Sequence, residues 1–66
     1  MATVKVIEVL AQSDKSWEDA AQTALRDAAK SLRNIKSLYI KDMMAEVEGN
    51  RIVQYRVNAK ISFALE

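Results

Sequence analysis

The C-terminal stretch IVQYRVNAKISFALE, from Ile52 to Glu66, alternates apolar and polar side chains. The apolar positions are Val53, Tyr55, Val57, Ala59, Ile61, Phe63 and Leu65, and the polar positions are Gln54, Arg56, Asn58, Lys60 and Ser62. A two-residue period predicts a β-strand with one dry face and one wet face. At about 3.3 Å per residue this strand is roughly 45–50 Å long, whereas most strands have about 5–6 residues. The fold must therefore be built around one unusually long strand.

The residues before this strand predict another strand and a helix. Thr3–Leu10 is rich in Val and Ile and predicts a first strand, and Ala11–Lys15 predicts a polar connection. Ser16 is placed to cap a helix, and Asp19 has the position of a capping-box acid. The helix is predicted from Trp17 to about Arg33. Its apolar stripe, mostly alanine, contains Ala20, Ala21, Ala24, Leu25, Ala28, Ala29 and Leu32.

A hairpin is predicted after the helix. Asn34 is expected to stop the helix, and a second strand is predicted from Ile35 to about Val47. The turn is Glu48–Asn50, where Gly49 or Asn50 can take a positive φ angle. With a right-handed crossover, the third strand lies between the first two and antiparallel to both. We therefore predict one α+β domain over residues 1–66, with β-α-β-β order and a three-stranded antiparallel sheet curled around one helix.

The predicted helix is too short to cover the long strand. At about 1.5 Å per residue the helix covers roughly 25 Å, so part of the sheet remains without a cover. Exposed strand edges and uncovered apolar faces favour self-association, which symmetric homo-oligomers satisfy. The chain has no Cys for a disulfide, and a core of this size is marginal alone. These features predict a homo-oligomer.

Composition argues against several classes of function. The absence of His removes the commonest general base and the commonest imidazole metal ligand, and the absence of Cys removes thiolate metal sites. The single glycine belongs to the predicted turn, so there is no Gly-rich phosphate loop. We expect no enzyme. Ten basic and nine acidic residues are scattered and balanced, which argues against nucleic-acid binding. Lys5 and Glu8 interrupt the apolar N-terminal stretch, which indicates neither a signal peptide nor a membrane span. We expect a cytoplasmic protein.

Three stretches carry a resemblance to a known family. They are VKVIEVLAQSDKSWEDAA, AAKSLRNIK and IVQYRVNAKISFALE, and with the spacing between them they cover nearly the whole chain. In this order the chain resembles the dodecins, small flavin-binding proteins. The resemblance implies a β-α-β-β fold, a hollow homododecamer and storage of a flavin (FMN, riboflavin or FAD) or a related small ligand. It also implies a ring pair at a twofold axis, closed by a Trp and hydrogen-bonded by a Gln.

Both clamp residues differ in this chain. By family position, Ser37 replaces the Trp and Arg56 replaces the Gln, while Trp17 belongs to the helix-start motif. Aromatic stacking is worth about 1–3 kcal/mol per ring, so flavin affinity is predicted to be weak. Tyr39 lies two residues after Ser37, on the same strand face, and is a candidate to replace part of the lid.

Arg56 carries the sharpest prediction for the site. Near a twofold axis it would meet its symmetry mate, and the two cations require an anion or carboxylate between them. Asp42 and Glu46 on the second strand are the nearest carboxylates, so a closed ion pair and a bound anion are both open interpretations. The candidate ligand-binding residues are thus Ser37, Tyr39, Asp42, Glu46 and Arg56. A structural shell without flavin is the alternative.

A calcium site is a further alternative. Asp42, Glu46 and Glu48 are predicted on one strand face, and carboxylate oxygens suit hard cations such as Ca²⁺. The spacing matches no EF-hand, and Lys41 and Arg51 lie close by. A solvated acidic face explains the same residues, so no metal ligand is assigned.

Overall fold

The architecture is one helix on a three-stranded sheet. The computed structural model describes residues 3–65, with β1 at Thr3–Ser13, α1 at Trp17–Ala28, β2 at Ile35–Glu48 and β3 at Arg51–Leu65. The strand order is β1-β3-β2, and β3 is antiparallel to both neighbours. The predicted β-α-β-β fold with a central third strand is therefore confirmed. The last residue of the predicted third strand, Glu66, lies outside the described residues.

The core lies between α1 and one face of β3. The buried apolar residues are Ala20, Ala24, Val57, Ala59, Ile61, Phe63 and Ala64. Alternate residues of β3 from Val57 to Phe63 are buried, as the two-residue period predicted. The helix contributes only alanine to the buried set, which allows its backbone to lie close to the sheet. Burial of the strand's dry face thus holds the helix in place.

The β2–β3 hairpin closes through a two-residue turn. Glu48 pairs with Arg51, and the two residues between them have positive φ angles, 57° at Gly49 and 65° at Asn50. Two successive positive φ angles define a type I′ turn, whose twist matches that of the strands. Glycine takes this conformation at little cost, and asparagine tolerates it better than most residues.

The helix N-terminus is capped as predicted, but Asp19 has a different partner. Ser16 Oγ accepts a hydrogen bond from the Asp19 backbone N–H at 2.9 Å. The Asp19 carboxylate accepts a hydrogen bond from Ser13 Oγ at 2.7 Å. The carboxylate therefore ties the helix to the end of β1, because the buried Ser13 hydroxyl needs a partner.

The helix ends earlier than the sequence predicted. It stops at Ala28, not near Arg33, and the chain continues in turns in which the Ser31 N–H donates to the Ala28 carbonyl at 3.1 Å. These turns keep Leu32 beside β1, which explains why the apolar period extends past the helix. Asn34, predicted as the helix stop, instead has a φ angle of 61° just before β2.

β1 is longer than predicted. It continues past Leu10 to Ser13, so three of the five residues in the predicted connection at Ala11–Lys15 belong to the strand. The added pairs with β3 are Ala11 with Val57, Gln12 with Arg56, and Ser13 with Tyr55. The long strand β3 provides backbone partners for Ala11–Ser13, and this pairing satisfies their N–H and C=O groups. The polar composition of the segment had instead predicted a loop.

The molecule is more extended than a compact monomer of the same length. Its principal dimensions are 51 × 20 × 13 Å and its radius of gyration is 13.5 Å, against about 11 Å expected for a compact chain of this length. Its accessible surface is 4943 Å², whereas a monomer of this mass exposes about 4200 Å². One 12-residue helix covers only part of a sheet built on a 15-residue strand.

Candidate functional site: the open face of the sheet

One face of the sheet carries no helix, and we call it the open face. In β3 it presents the polar residues of the alternating pattern, since the apolar ones lie under α1. The register adds neighbours from both flanking strands. The open face consists of Gln54, Arg56, Asn58, Lys60 and Ser62 in β3, Val6, Glu8, Leu10 and Gln12 in β1, and Ser37, Tyr39, Asp42, Met44 and Glu46 in β2.

All five candidate ligand-binding residues lie on this face because β2 contains a bulge. The register shifts between Ile40 and Asp42, so Lys41 is an extra residue in the strand. The bulge reverses the alternation of side chains. Ser37 and Tyr39, at odd positions, therefore share a face with the even-numbered carboxylates of β2. Sequence alternation alone would place these two sets on opposite faces, and bulges have no clear sequence signal.

The candidate residues do not form one cluster within a subunit. Ser37 pairs with Ser62, six residues along β3 from Arg56, which corresponds to about 20 Å. Tyr39 lies opposite Lys60 and is 64% exposed. The Ser37 hydroxyl shares a hydrogen bond with the Ser62 hydroxyl. A small ligand held by both Ser37 and Arg56 would require residues from two subunits.

Arg56 is held by groups from both neighbouring strands. Its Nε and Nη2 donate to Gln12 Oε1 at 3.2 and 3.1 Å. Nη2 also lies 3.8 Å from Glu46 Oε1, which is an ion pair beyond hydrogen-bond distance. The sequence hypothesis named Glu46 but missed Gln12, because β1 was predicted to end at Leu10. The length of β3 was the available signal, since a central strand needs neighbours along its length.

Asp42 flanks Arg56 in the register, as Glu46 does. Its register partner is Asn58, one pair away from Arg56 on the side opposite Glu46. Among residues 3–65, the ion pair of Arg56 is with Glu46 and not with Asp42. Residues 3–65 also contain no group of three acidic, His or Cys side chains placed to hold a metal ion.

A second polar cluster crosses the middle of the open face. Lys41 Nζ lies 3.5 Å from Glu8 Oε2, so the bulged residue of β2 reaches a carboxylate on β1. A hydrogen bond from the Asn58 side chain, followed by the positive charge of Lys41, holds the pKa of Glu8 below its ordinary 4.5. The cluster joins the two outer strands across the central one.

Trp17 lies on the helix side of the sheet. Its Nε1 donates to the Met44 carbonyl at 2.9 Å, and its ring meets Tyr55 edge to face at 4.9 Å between centroids. The indole thus satisfies the Met44 carbonyl on the outer edge of β2 and fixes the start of α1 against the sheet. This position fits the prediction that Trp17 belongs to the helix start.

These features define a class of protein: a small α+β protein with a helix on one side of a long three-stranded sheet and an open face on the other. Among residues 3–65, no helix has the length and apolar character needed to cross a bilayer. The family model for dodecin matches residues 3–66, so the chain belongs to the dodecin family.

Individual dodecins agree with this assignment. Calcium dodecin from Mycobacterium tuberculosis is 29% identical over 65 residues, covering 98% of this chain and 92% of the relative. A dodecin variant from T. thermophilus has a TM-score of 0.95 at 27% identity, covering 100% of this chain and 98% of the other. Dodecin from Streptomyces coelicolor has a TM-score of 0.94 at 25% identity, covering 98% and 93%.

Proposed function

We propose that this protein is a non-catalytic subunit of a homododecameric shell that binds and stores a small ligand between subunits. The observation that carries the proposal is the exposure of large apolar side chains along the extended sheet. The residues concerned are Val4, Val6, Leu10, Tyr39, Met43, Met44, Val47, Ile52 and Leu65, all between 47% and 65% exposed. Contact with other copies of the chain would remove this surface from water.

The ligand class follows from family membership and is modified by two residues. Family resemblance favours a flavin or a related aromatic compound, with sites at subunit contacts. Ser37 supplies no aromatic surface, and its hydroxyl is engaged with Ser62. Arg56 offers donors only, whereas the glutamine it replaces offers both a donor and an acceptor. Flavin affinity is therefore expected to be weak, with Tyr39 as the nearest aromatic substitute.

A binding role fits the chemistry of the open face better than catalysis. The chain has neither His nor Cys, and two charged side chains on this face have polar partners: Glu8 lies near Lys41, and Arg56 contacts Gln12 and Glu46. The Ser13 hydroxyl donates to the Asp19 carboxylate, but Ser13 is buried on the helix side of the sheet and not on the open face. The face offers charge and hydrogen bonds for recognition, without a group suited to proton transfer near neutral pH.

Titration with riboflavin and FMN, followed by quenching of flavin fluorescence, tests the storage role. We expect saturable binding with a dissociation constant in the micromolar range or weaker, because the stacking lid is missing. The experiment needs the assembled protein, since the candidate residues of one subunit are too far apart to hold the ligand. Absence of saturable binding at millimolar flavin would contradict a flavin-storage role and leave a structural shell.

Calcium is a second candidate ligand, favoured by the similarity to calcium dodecin. Because residues 3–65 bring no three metal-ligating side chains together, a site would need carboxylates from more than one subunit. If Ca²⁺ binds there, calcium should raise the melting temperature, EDTA should reverse the rise, and Asp42→Asn should abolish it. Asp14→Asn, in an exposed connection, is the matched control. A melting temperature insensitive to calcium would exclude this role.

A further inference from the structure

The guanidinium of Arg56 is held in position by hydrogen bonds that use only some of its N–H donors. Its hydrogen bonds within residues 3–65 come from Nε and Nη2 and both go to Gln12 Oε1. A guanidinium has five N–H donors, so most of its hydrogen-bonding capacity is left over. Gln12 therefore acts as a positioning residue, which holds one edge of the planar group and leaves the other available.

A small recess lies beside this group. It has a volume of about 130 Å³ and is lined by Met44, Ala45, Glu46 and Arg56. Drug-sized ligands occupy sites of about 300–1000 Å³, so a three-ring compound does not fit the recess of one subunit. The space suits a compact group such as a phosphate, and planar guanidinium donors match phosphate oxygens well.

Glu46 competes for the same cation. Its carboxylate lies 3.8 Å from Nη2, which is too long for a charge-assisted hydrogen bond. The Glu46 side chain is 56% exposed and that of Arg56 is 34% exposed. Exposed ion pairs of this kind contribute little to stability, so the carboxylate can move away at small cost. It also repels any incoming anion.

We propose that Arg56 forms a phosphate-binding site in which Glu46 acts as a displaceable internal competitor. Phosphate binds when Glu46 turns away, and Gln12 keeps the guanidinium in place in both states. The inference rests on the proposed binding role but does not require that the bound molecule contain a flavin. The phosphate belongs either to a free oxyanion or to the phosphoryl end of a larger ligand.

Calorimetric titration with inorganic phosphate at constant low ionic strength tests the site. Removing the competing carboxylate in Glu46→Gln should tighten phosphate binding about three- to tenfold, as expected for loss of one nearby like charge. Arg56→Gln should abolish measurable binding. Glu18→Gln, on the helix, changes the net charge equally and should leave the affinity unchanged. Circular dichroism of each variant confirms that it remains folded.

The source of the phosphate is distinguished with FMN and riboflavin. If the site takes a ligand-borne phosphate, Glu46→Gln should tighten FMN binding without changing that of riboflavin. If it takes a free oxyanion, only inorganic phosphate gains. Equal phosphate affinities in the wild type and Glu46→Gln, or retained binding in Arg56→Gln, would overturn the proposal. A monomeric protein that still showed the Glu46→Gln gain would refute the shell and not the phosphate site.

Discussion

Arg56 and Glu8 both carry their charge on the open face, and each is matched by groups on other strands. Arg56 is held by an amide oxygen from β1 and approached by a carboxylate from β2. Glu8 is approached by Lys41, and the hydrogen bond from Asn58 is the largest cause of its lowered pKa. The Arg56 cluster carries the proposed phosphate site, whereas the Glu8 cluster is expected to affect the response of the fold to acid.

The acid response of the fold should depend on Glu8. Its pKa is lowered in the folded state, so its contribution to stability is present above the ordinary value of 4.5 and is lost as the pH falls through the folded-state value. Urea unfolding across this range should show a smaller loss of stability on acidification in Glu8→Gln than in the wild type. Identical pH profiles for the two proteins would contradict this assignment. Glu48→Gln, at the hairpin end of the sheet, serves as the control.

Restoring the family's clamp residues should restore flavin binding. Ser37→Trp with Arg56→Gln supplies stacking at about 1–3 kcal/mol per ring and a hydrogen-bonding amide. We expect flavin affinity to rise at least tenfold, or about 1.4 kcal/mol, by fluorescence quenching. Ser37→Phe tests whether ring area alone accounts for part of the gain. Unchanged affinity in the double variant would show that these positions do not face the ligand.

Among the helices and strands, the sequence predicted best those elements that are marked by a long, continuous pattern of side chains. The alternation of β3 and the Gly49-Asn50 turn together specify the hairpin, because the strand period and the turn geometry agree. The ends of elements were harder to predict. The apolar stripe continued through Leu32 although the helix stops at Ala28, since turns also keep apolar side chains over a sheet.

The candidate site was less predictable than the fold for a physical reason. Its geometry depends on which residues oppose each other across strands, and a single extra residue at Lys41 moves Ser37 and Tyr39 to the other face of the sheet. Gln12 contacts Arg56 across 44 positions of sequence, and nothing local to either residue marks the pair. The sequence therefore predicted which residues belong to the candidate site, but not which residues on the neighbouring strands they contact.

The contact between α1 and β2 should depend on the Trp17 indole. Trp17→Phe removes the hydrogen bond to the Met44 carbonyl and keeps a ring near Tyr55. The free energy of unfolding should fall by about 0.5–1.5 kcal/mol, measured by urea denaturation. Trp17→Leu removes the aromatic pair as well and should cost more. A Trp17→Phe variant as stable as the wild type would show that water replaces the bond at no cost.

For the whole molecule, shape is the dominant fact. A chain with dimensions of 51 × 20 × 13 Å leaves many of its large apolar side chains exposed. Six of the seven buried apolar residues lie in the helix or on the face of β3 beneath it, and the 12-residue helix is shorter than the sheet. In the proposed shell, association with other copies would bury this surface and create the space between subunits for a ligand.

An exposed leucine on the open face distinguishes a monomer from an assembly. Leu10 is 65% exposed in one subunit, so Leu10→Gln should change the stability of a monomer by less than about 0.5 kcal/mol. In an assembly that buries this side chain, the same change should promote dissociation on dilution, followed by light scattering. Lys30→Gln, in the exposed turns that follow the helix, is the control. If the variant dissociates no more readily than the wild type, Leu10 does not lie in a contact between subunits.

The most direct test of the central claim is the mass of the unmodified protein in solution, measured by multi-angle light scattering at micromolar concentration without added ligand. We predict the mass of a dodecamer, twelve times the 7.4 kDa of one chain. A mass of 7.4 kDa, that of a single chain, would contradict it.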